Sequence, residues 1–180
     1  MRVITGIAKG VPLKSLPGKD TRPTSDKAKE AMFSAVQFDI PNAVVLDLFA
    51  GSGQLGIEAL SRGAKMAYFV DNNPRAAEVI KANLEKTGIP GQSFRVDRMP
   101  YNTFLRLVRD KFDIVFLDPP YGKGIIAKVI PVLAKLMNPG GIIVCEHEKE
   151  LCLPESIGMF EVDRTYNYGS ISLTIYRSVQ

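Results

Sequence analysis

An acid, two prolines and an aromatic, Asp118-Pro119-Pro120-Tyr121, follow the apolar run Phe112–Leu117. The run is short and β-rich enough for a buried parallel strand. The tetrapeptide therefore falls at the carboxyl end of a strand, where open α/β sheets bind ligands. Neither proline has an N–H and both have fixed φ, so the turn is stiff. The carbonyls of Asp118 and Pro119 are then free to face a ligand, Asp118 adds a carboxylate acceptor, and Tyr121 adds a flat face for stacking. That combination suits a planar ring with an exocyclic amine. Taken alone it reads equally well as a strand-ending turn with a half-buried tyrosine.

Upstream, Asp47-Leu48-Phe49-Ala50-Gly51-Ser52-Gly53-Gln54-Leu55-Gly56 places Gly51, Gly53 and Gly56 in the spacing G-x-G-x-x-G. The glycines stand between an expected strand and an expected helix, which brings backbone close to a ligand. The next strand ends at Val70, and Asp71 behind it can accept both hydroxyls of a ribose. Ordinary βα turns also favour glycine, and Asp71 could simply cap a helix. The setting favours a ligand containing adenosine. A dinucleotide is the first rival, but the Asp47 carboxylate would repel a pyrophosphate. The same carboxylate suits the cationic ammonium of S-adenosylmethionine.

Alternating strands and helices must position these groups. Strands are expected at Val44–Leu48, Met66–Val70, Ser93–Val96, Phe112–Leu117 and Ile142–Glu146. Between them helices are expected at Gly53–Arg62, Pro74–Thr87, near Asn102–Arg109, and at Ile125–Leu136 with a kink at Pro131. A first helix capped by Thr24 or Ser25 runs to about Phe38, with Lys27 and Lys29 facing water. Phe160–Arg164 and Ser170–Arg177 close the chain as a strand pair. The pattern predicts a Rossmann-like, doubly wound α/β sheet of seven strands, mostly parallel with an antiparallel terminal strand. A small hairpin over Val3–Ile7 and Val11–Leu16 precedes it.

The chain has 180 residues, 46% hydrophobic and 23% charged, which favours one globular domain. Residues 1–30 hold seven Lys/Arg and three acids, so they account for the whole net charge of +4. The chain thus divides into a basic arm, 1–23, and a neutral body, 24–180. A basic leader on a neutral body points to a polyanion, with Arg2, Lys9, Lys14, Lys19 and Arg22 as phosphate contacts. No apolar run approaches the roughly 18 residues of a membrane span, and MRVITGIAKG has no signal-peptide core, so a cytoplasmic protein is expected. Cys145 and Cys152 are too few for a disulfide framework, and no metal site is expected. Cys145 reads as a buried thiol, and His147, the sole histidine, as a surface residue rather than a base. Arg164, Tyr166 and Tyr168 read as packing rather than RNA contact.

Together these segments resemble the RsmD-type methyltransferases, which modify guanine N2 in bacterial 16S ribosomal RNA. The similarity runs through Arg2-Val3-Ile4-Thr5-Gly6, Arg22-Pro23-Thr24-Ser25-Asp26, Leu46–Gly56, Asp71-Asn72-Asn73-Pro74, Asp118–Tyr121, Glu146-His147-Glu148, Tyr168-Gly169 and Leu173–Arg177. It implies S-adenosylmethionine held by Asp47, Phe49, Ala50, Gly51, Gly53, Gly56, Asp71, Asn72 and Asp118. After the third strand, Arg95–Tyr101 departs from the usual acid that binds the adenine amine, so backbone contacts from Arg98 or Met99 are expected instead of Asp97. Asp118 and the Pro119 carbonyl would accept the amine hydrogens while Tyr121 stacks on the base. The resemblance further implies ribosomal RNA as partner, within a partly assembled small subunit, and a monomer. DNA adenine-N6 methylation, protein-glutamine methylation and a non-catalytic assembly factor are the rival readings.

Overall fold

The computed structural model describes residues 1–16, 26–122 and 124–179. One eight-stranded sheet runs in the order β3-β2-β1-β4-β5-β8-β7-β6. Its parallel part comprises β1 (Val44–Asp47), β2 (Met66–Asp71), β3 (Phe94–Arg98), β4 (Phe112–Leu117) and β5 (Met137–Glu148). β8 (Ile171–Ser178) pairs antiparallel with β5, β7 (Phe160–Tyr168) with β8, and β6 (Ser156–Ile157) with β7. The helices are α1 (Asp26–Ala35), α2 (Gln54–Ser61), α3 (Pro74–Thr87), α4 (Tyr101–Leu107) and α5 (Ile125–Ala134).

Alternating strand residues face opposite sides. Val45, Phe69, Ile114, Phe116, Val144 and Leu173 pack with Phe33 of α1, Ile57 of α2 and Ile80 of α3. Leu46, Tyr68, Val115, Leu117, Ile143 and Tyr176 pack with Phe104 of α4 and Ile130 of α5. Helices on both faces make the sheet doubly wound, as expected from the alternation.

Several boundaries differ from the sequence reading. The sheet gains an eighth strand because Ser156 and Ile157 fold back on β7 around Gly158, whose φ is +62°. β5 starts at Met137, not Ile142, because Met137 pairs with Phe112 and residues 138–141 form an unpaired bulge before the ladder resumes at Ile114 with Ile142. α5 stops at Ala134 with Pro131 inside it. α3 has the expected ends: the Asn73 side chain accepts the Arg75 N–H at 3.0 Å, Pro74 opens the helix, and Gly88 closes it at φ +68°. The capping positions Thr24 and Ser25 lie outside the described residues. Lys29 does not face water: it is buried on α1.

The N-terminal hairpin is a tight turn closed by one antiparallel bridge, Arg2 to Pro12, with the Val3 N–H donating to Val11 O at 3.0 Å. It lies against α2 and α3. Glu58, 3% exposed, accepts the Ile4 and Thr5 amides at 2.7 and 3.0 Å. Ser61 Oγ accepts the Ala8 amide at 3.0 Å and donates to Thr5 O at 2.6 Å. Asn83, fully buried on α3, takes the Lys14 amide at 2.7 Å and donates to both Lys14 O and Ser52 O at 3.0 and 2.9 Å.

Candidate functional site

The carboxyl ends of β1, β2, β3 and β4 meet along one edge of the sheet. β1 delivers Asp47, whose side chain is buried and accepts the Gly56 N–H of α2 at 3.0 Å. Burial raises the Asp47 carboxyl from the ordinary value of 3.8 to about 7, the Gly56 hydrogen bond works against that rise, and neighbouring Asp71 adds to it. The chain then turns back through Gly51 (φ +54°) and Gly53 (φ +79°), a left-handed backbone in which a side chain is strained. At Gly56 a Cβ would stand 2.3 Å from Phe69 Cε1, so glycine lets α2 seat directly on β2.

Asp71, at the end of β2, ties this loop down. Its Oδ2 accepts the Gly51 N–H and its Oδ1 the Asn73 N–H, each at 2.8 Å. Each carboxylate oxygen has two acceptor positions, so Asp71 keeps capacity for a pair of hydroxyls. The Ala50 N–H bonds Val70 O at 3.0 Å, fixing the same turn from the main chain. Asn72 is exposed beside it. At the start of α2, Gln54 Nε2 is buried with no hydrogen-bond partner among the described residues, a donor left over for a ligand.

On the other side of Asp47, Phe49 and Tyr101 pack at 5.2 Å between ring centroids. With Met99 they form a half-buried apolar wall between the ends of β1 and β3. That wall fits the face of a purine. The Arg98 side chain points to solvent. Asp97 is bound to Arg95, which donates to Oδ1 from Nε at 3.0 Å and Nη2 at 2.8 Å. Sequence reasoning misses Tyr101 as a wall residue, since one aromatic at a helix start carries no periodic signal.

β4 delivers Asp118. In the β1–β4 ladder Asp47 pairs with Phe116, so Asp118 lies two residues beyond it on the same face, about 7 Å further along. Pro119 is buried and Pro120 exposed. Tyr121 is 44% exposed, while its hydroxyl donates to Glu146 Oε1 at 3.0 Å. Burial, with Glu146, Asp118 and Glu148 nearby, pushes the Tyr121 phenol well above its ordinary range, so it stays a donor.

Other candidates fall elsewhere. His147 is buried, not on the surface: Nδ1 meets Glu148 O at 2.8 Å and Nε2 meets Thr174 Oγ1 at 2.9 Å. Strand alternation puts it on the opposite face from Glu146, where it lines a groove of about 660 Å³ with Thr165, Asn167 and Ser172. None of the glycines or strand-end acids above lines that groove. Tyr166 and Tyr168 pack on the core as expected, and Arg164 donates to Tyr166 Oη at 3.3 Å. Cys145 is a buried thiol. Arg2, Lys9 and Lys14 are exposed on the docked hairpin, whereas Lys19 and Arg22 lie outside the described residues. Among the described residues, no group of three or more His, Cys, Asp or Glu is placed to hold a metal, and no helix is long and apolar enough to cross a membrane.

The chain is similar to known proteins along nearly its whole length. The family model described as conserved hypothetical protein 95 matches residues 1–177. The chain is 38% identical to Bacillus subtilis YlbH, provisionally named an rRNA methyltransferase, over 98% of both chains. It is 33% identical to the Haemophilus influenzae ribosomal RNA small subunit methyltransferase D, covering 99% of this chain and 94% of that one. The solved structure of Escherichia coli YhhF, provisionally named a methyltransferase, superposes with a TM-score of 0.89 at 30% identity, covering 99% of this chain and 97% of that one.

Proposed function

The chain belongs to the family described as conserved hypothetical protein 95, and from that premise we propose that it methylates the exocyclic N2 amine of a guanine in small-subunit ribosomal RNA, using S-adenosylmethionine. The observation that carries this reading is the meeting of a buried acid, a glycine loop, a second strand-end acid and a double-proline turn along one sheet edge. The relatives' names supply the substrate class, and the turn's chemistry supplies the amine.

Bound S-adenosylmethionine provides an electrophilic methyl carbon on a sulfonium. Asp47 balances the donor's ammonium, Asp71 receives the ribose hydroxyls, and Phe49, Met99 and Tyr101 face the adenine. Ala50, Gly51, Gly53 and Gly56 bring backbone close, with Asn72 and Arg98 at the rim. Asp118 and the Pro119 carbonyl accept the two amine hydrogens and aim the nitrogen lone pair at the methyl carbon. Asp118, beside the amine, would stabilise the positive charge that the nitrogen gains with the methyl group and would take its proton directly or through water. Alignment is the main contribution of the site. The acceptor base must leave its stack, which costs least in a loop, and Tyr121 gives it a new surface to stack on.

Arg2, Lys9, Lys14, Lys19 and Arg22 bind phosphates in this reading. Residues 1–23 are its RNA-binding arm and 24–180 its catalytic body. The enzyme works as a monomer in the cytoplasm on a partly assembled subunit. Labelled cofactor with naked 16S RNA, partly assembled subunits, DNA and protein pools tests it: label in the subunit RNA, at guanine N2 on nucleoside analysis, is the expected result. Label confined to DNA or protein overturns it. Asp118→Ala is expected to lower turnover at least about 100-fold while the Kd for S-adenosylmethionine changes less than about threefold. Near-normal turnover would remove Asp118 from its role.

A further inference from the structure

We propose that Glu146, assisted by Glu148, is a positioning residue that locks the Pro119–Gly122 turn and sets the Tyr121 ring for the acceptor base. The inference rests on the methyltransferase reading above.

Pro119 and Pro120 have no N–H, so the turn has few hydrogen bonds of its own to offer. The first amides after the prolines belong to Tyr121 and Gly122, and Gly122 is left-handed at φ +73°. The prolines fix φ only at their own positions, so the Tyr121–Gly122 half of the turn must be held by a neighbouring element, and β5 supplies it. The last pair of the β4–β5 ladder is Leu117 with Cys145, so Asp118 and Glu146 stand side by side where it ends. Glu146 lies on the same face as Asp118, because its neighbours Cys145 and His147 point the other way.

Glu146 is 3% exposed, and Oε1 accepts the Tyr121 hydroxyl at 3.0 Å. Two residues on, Glu148 Oε1 accepts the Gly122 N–H at 2.6 Å. Consecutive residues of the turn are thus held by alternate residues of one strand. A bond to a carboxylate is stronger than one between neutral groups. The tyrosine hydroxyl lies on the χ2 axis, so holding it fixes χ1 and with it the position of the ring, and the preference of a phenol O–H for the ring plane orients the ring toward the acceptor, while 44% of the residue stays open to solvent. A base arriving there meets a ring already placed, which removes an ordering cost from binding.

Glu146→Leu is expected to reduce kcat/KM for RNA about 10- to 100-fold, with the Kd for S-adenosylmethionine unchanged. Glu146→Gln keeps an acceptor and is expected to restore the rate to within about fivefold of wild type. Tyr121→Phe removes the hydroxyl and keeps the ring, so Glu146→Leu added to it should cost little more. Full additivity overturns the inference, since a role confined to general packing would not depend on the hydroxyl. Hydrogen exchange gives a readout independent of activity. The amides of Asp118, Tyr121 and Gly122 should exchange faster in Glu146→Leu and in Tyr121→Phe, which breaks the same bond without altering the buried acid, so the measurement survives if the leucine variant fails to fold. Unchanged exchange in both overturns the positioning role. A wild-type protein that methylates no ribosomal RNA overturns the functional reading instead, whatever the exchange shows.

Discussion

Asp47 is the residue whose environment has the clearest consequence in solution. Its carboxyl titrates near 7 in the folded protein and near 3.8 when unfolded. The folded state therefore holds the proton more tightly. The stability gained from that proton is complete below about pH 4 and is lost as the pH rises through 7. Ligand binding runs the other way, because an ammonium is attracted only by the ionised acid. The affinity for S-adenosylmethionine should weaken as the pH falls from 7 to 5.5, by up to about tenfold per unit. Titration calorimetry in buffers of different ionisation heat should detect protons released on binding at pH 6.5. Asp47→Asn should abolish that release. A Kd independent of pH over this range would show that Asp47 does not meet the ammonium.

At the scale of elements, the β1–loop–α2 unit depends on a contact with no room for a methyl group. Gly56→Ala puts a Cβ against the Phe69 ring, so α2 must shift from β2 or Phe69 must turn. A loss of about 1–3 kcal/mol in urea unfolding is expected, with weaker cofactor binding because the loop moves with the helix. Wild-type stability and affinity would mean the contact relaxes freely. This unit was legible in the sequence because strand, glycines and following acid are all local signals. α3 was legible for the same reason, with Pro74 and Gly88 marking both ends. β4 kept the expected boundaries as an unbroken apolar run. Glu58, Asn83, Glu146 and His147 could not be found this way. A polar residue reads as surface unless its partner is known, and Glu58 and Asn83 meet main chain 53 to 69 positions away. The two-residue β6 is too short for any periodicity, and Asn138-Pro139-Gly140-Gly141 reads as a turn although it continues β5.

At the scale of the whole molecule, residues 1–16 of the basic leader are a docked part of the fold. Val3 and Leu13 are buried on the body, and full burial of such side chains contributes about 1.5–3 kcal/mol each, an upper bound. Deleting residues 1–16 is therefore expected to lower Tm and disturb the glycine loop through Asn83, so it cannot isolate a role in RNA binding. Replacing Arg2, Lys9 and Lys14 with Gln separates the two effects. These exposed positions should leave Tm nearly unchanged. For every phosphate no longer neutralised, the slope of log K against log salt should flatten by about 0.7 on single-stranded RNA. An unchanged slope would place the RNA elsewhere.

The leader's anchors also dictate an order of events during synthesis. Residues 1–16 leave the ribosome well before the groups that receive them, on Glu58, Ser61 and Asn83. At about 5–20 residues per second, roughly 3–13 s separate Leu16 from Asn83. Throughout that interval a cationic, apolar-studded segment has no berth on its own polypeptide while it emerges beside ribosomal RNA.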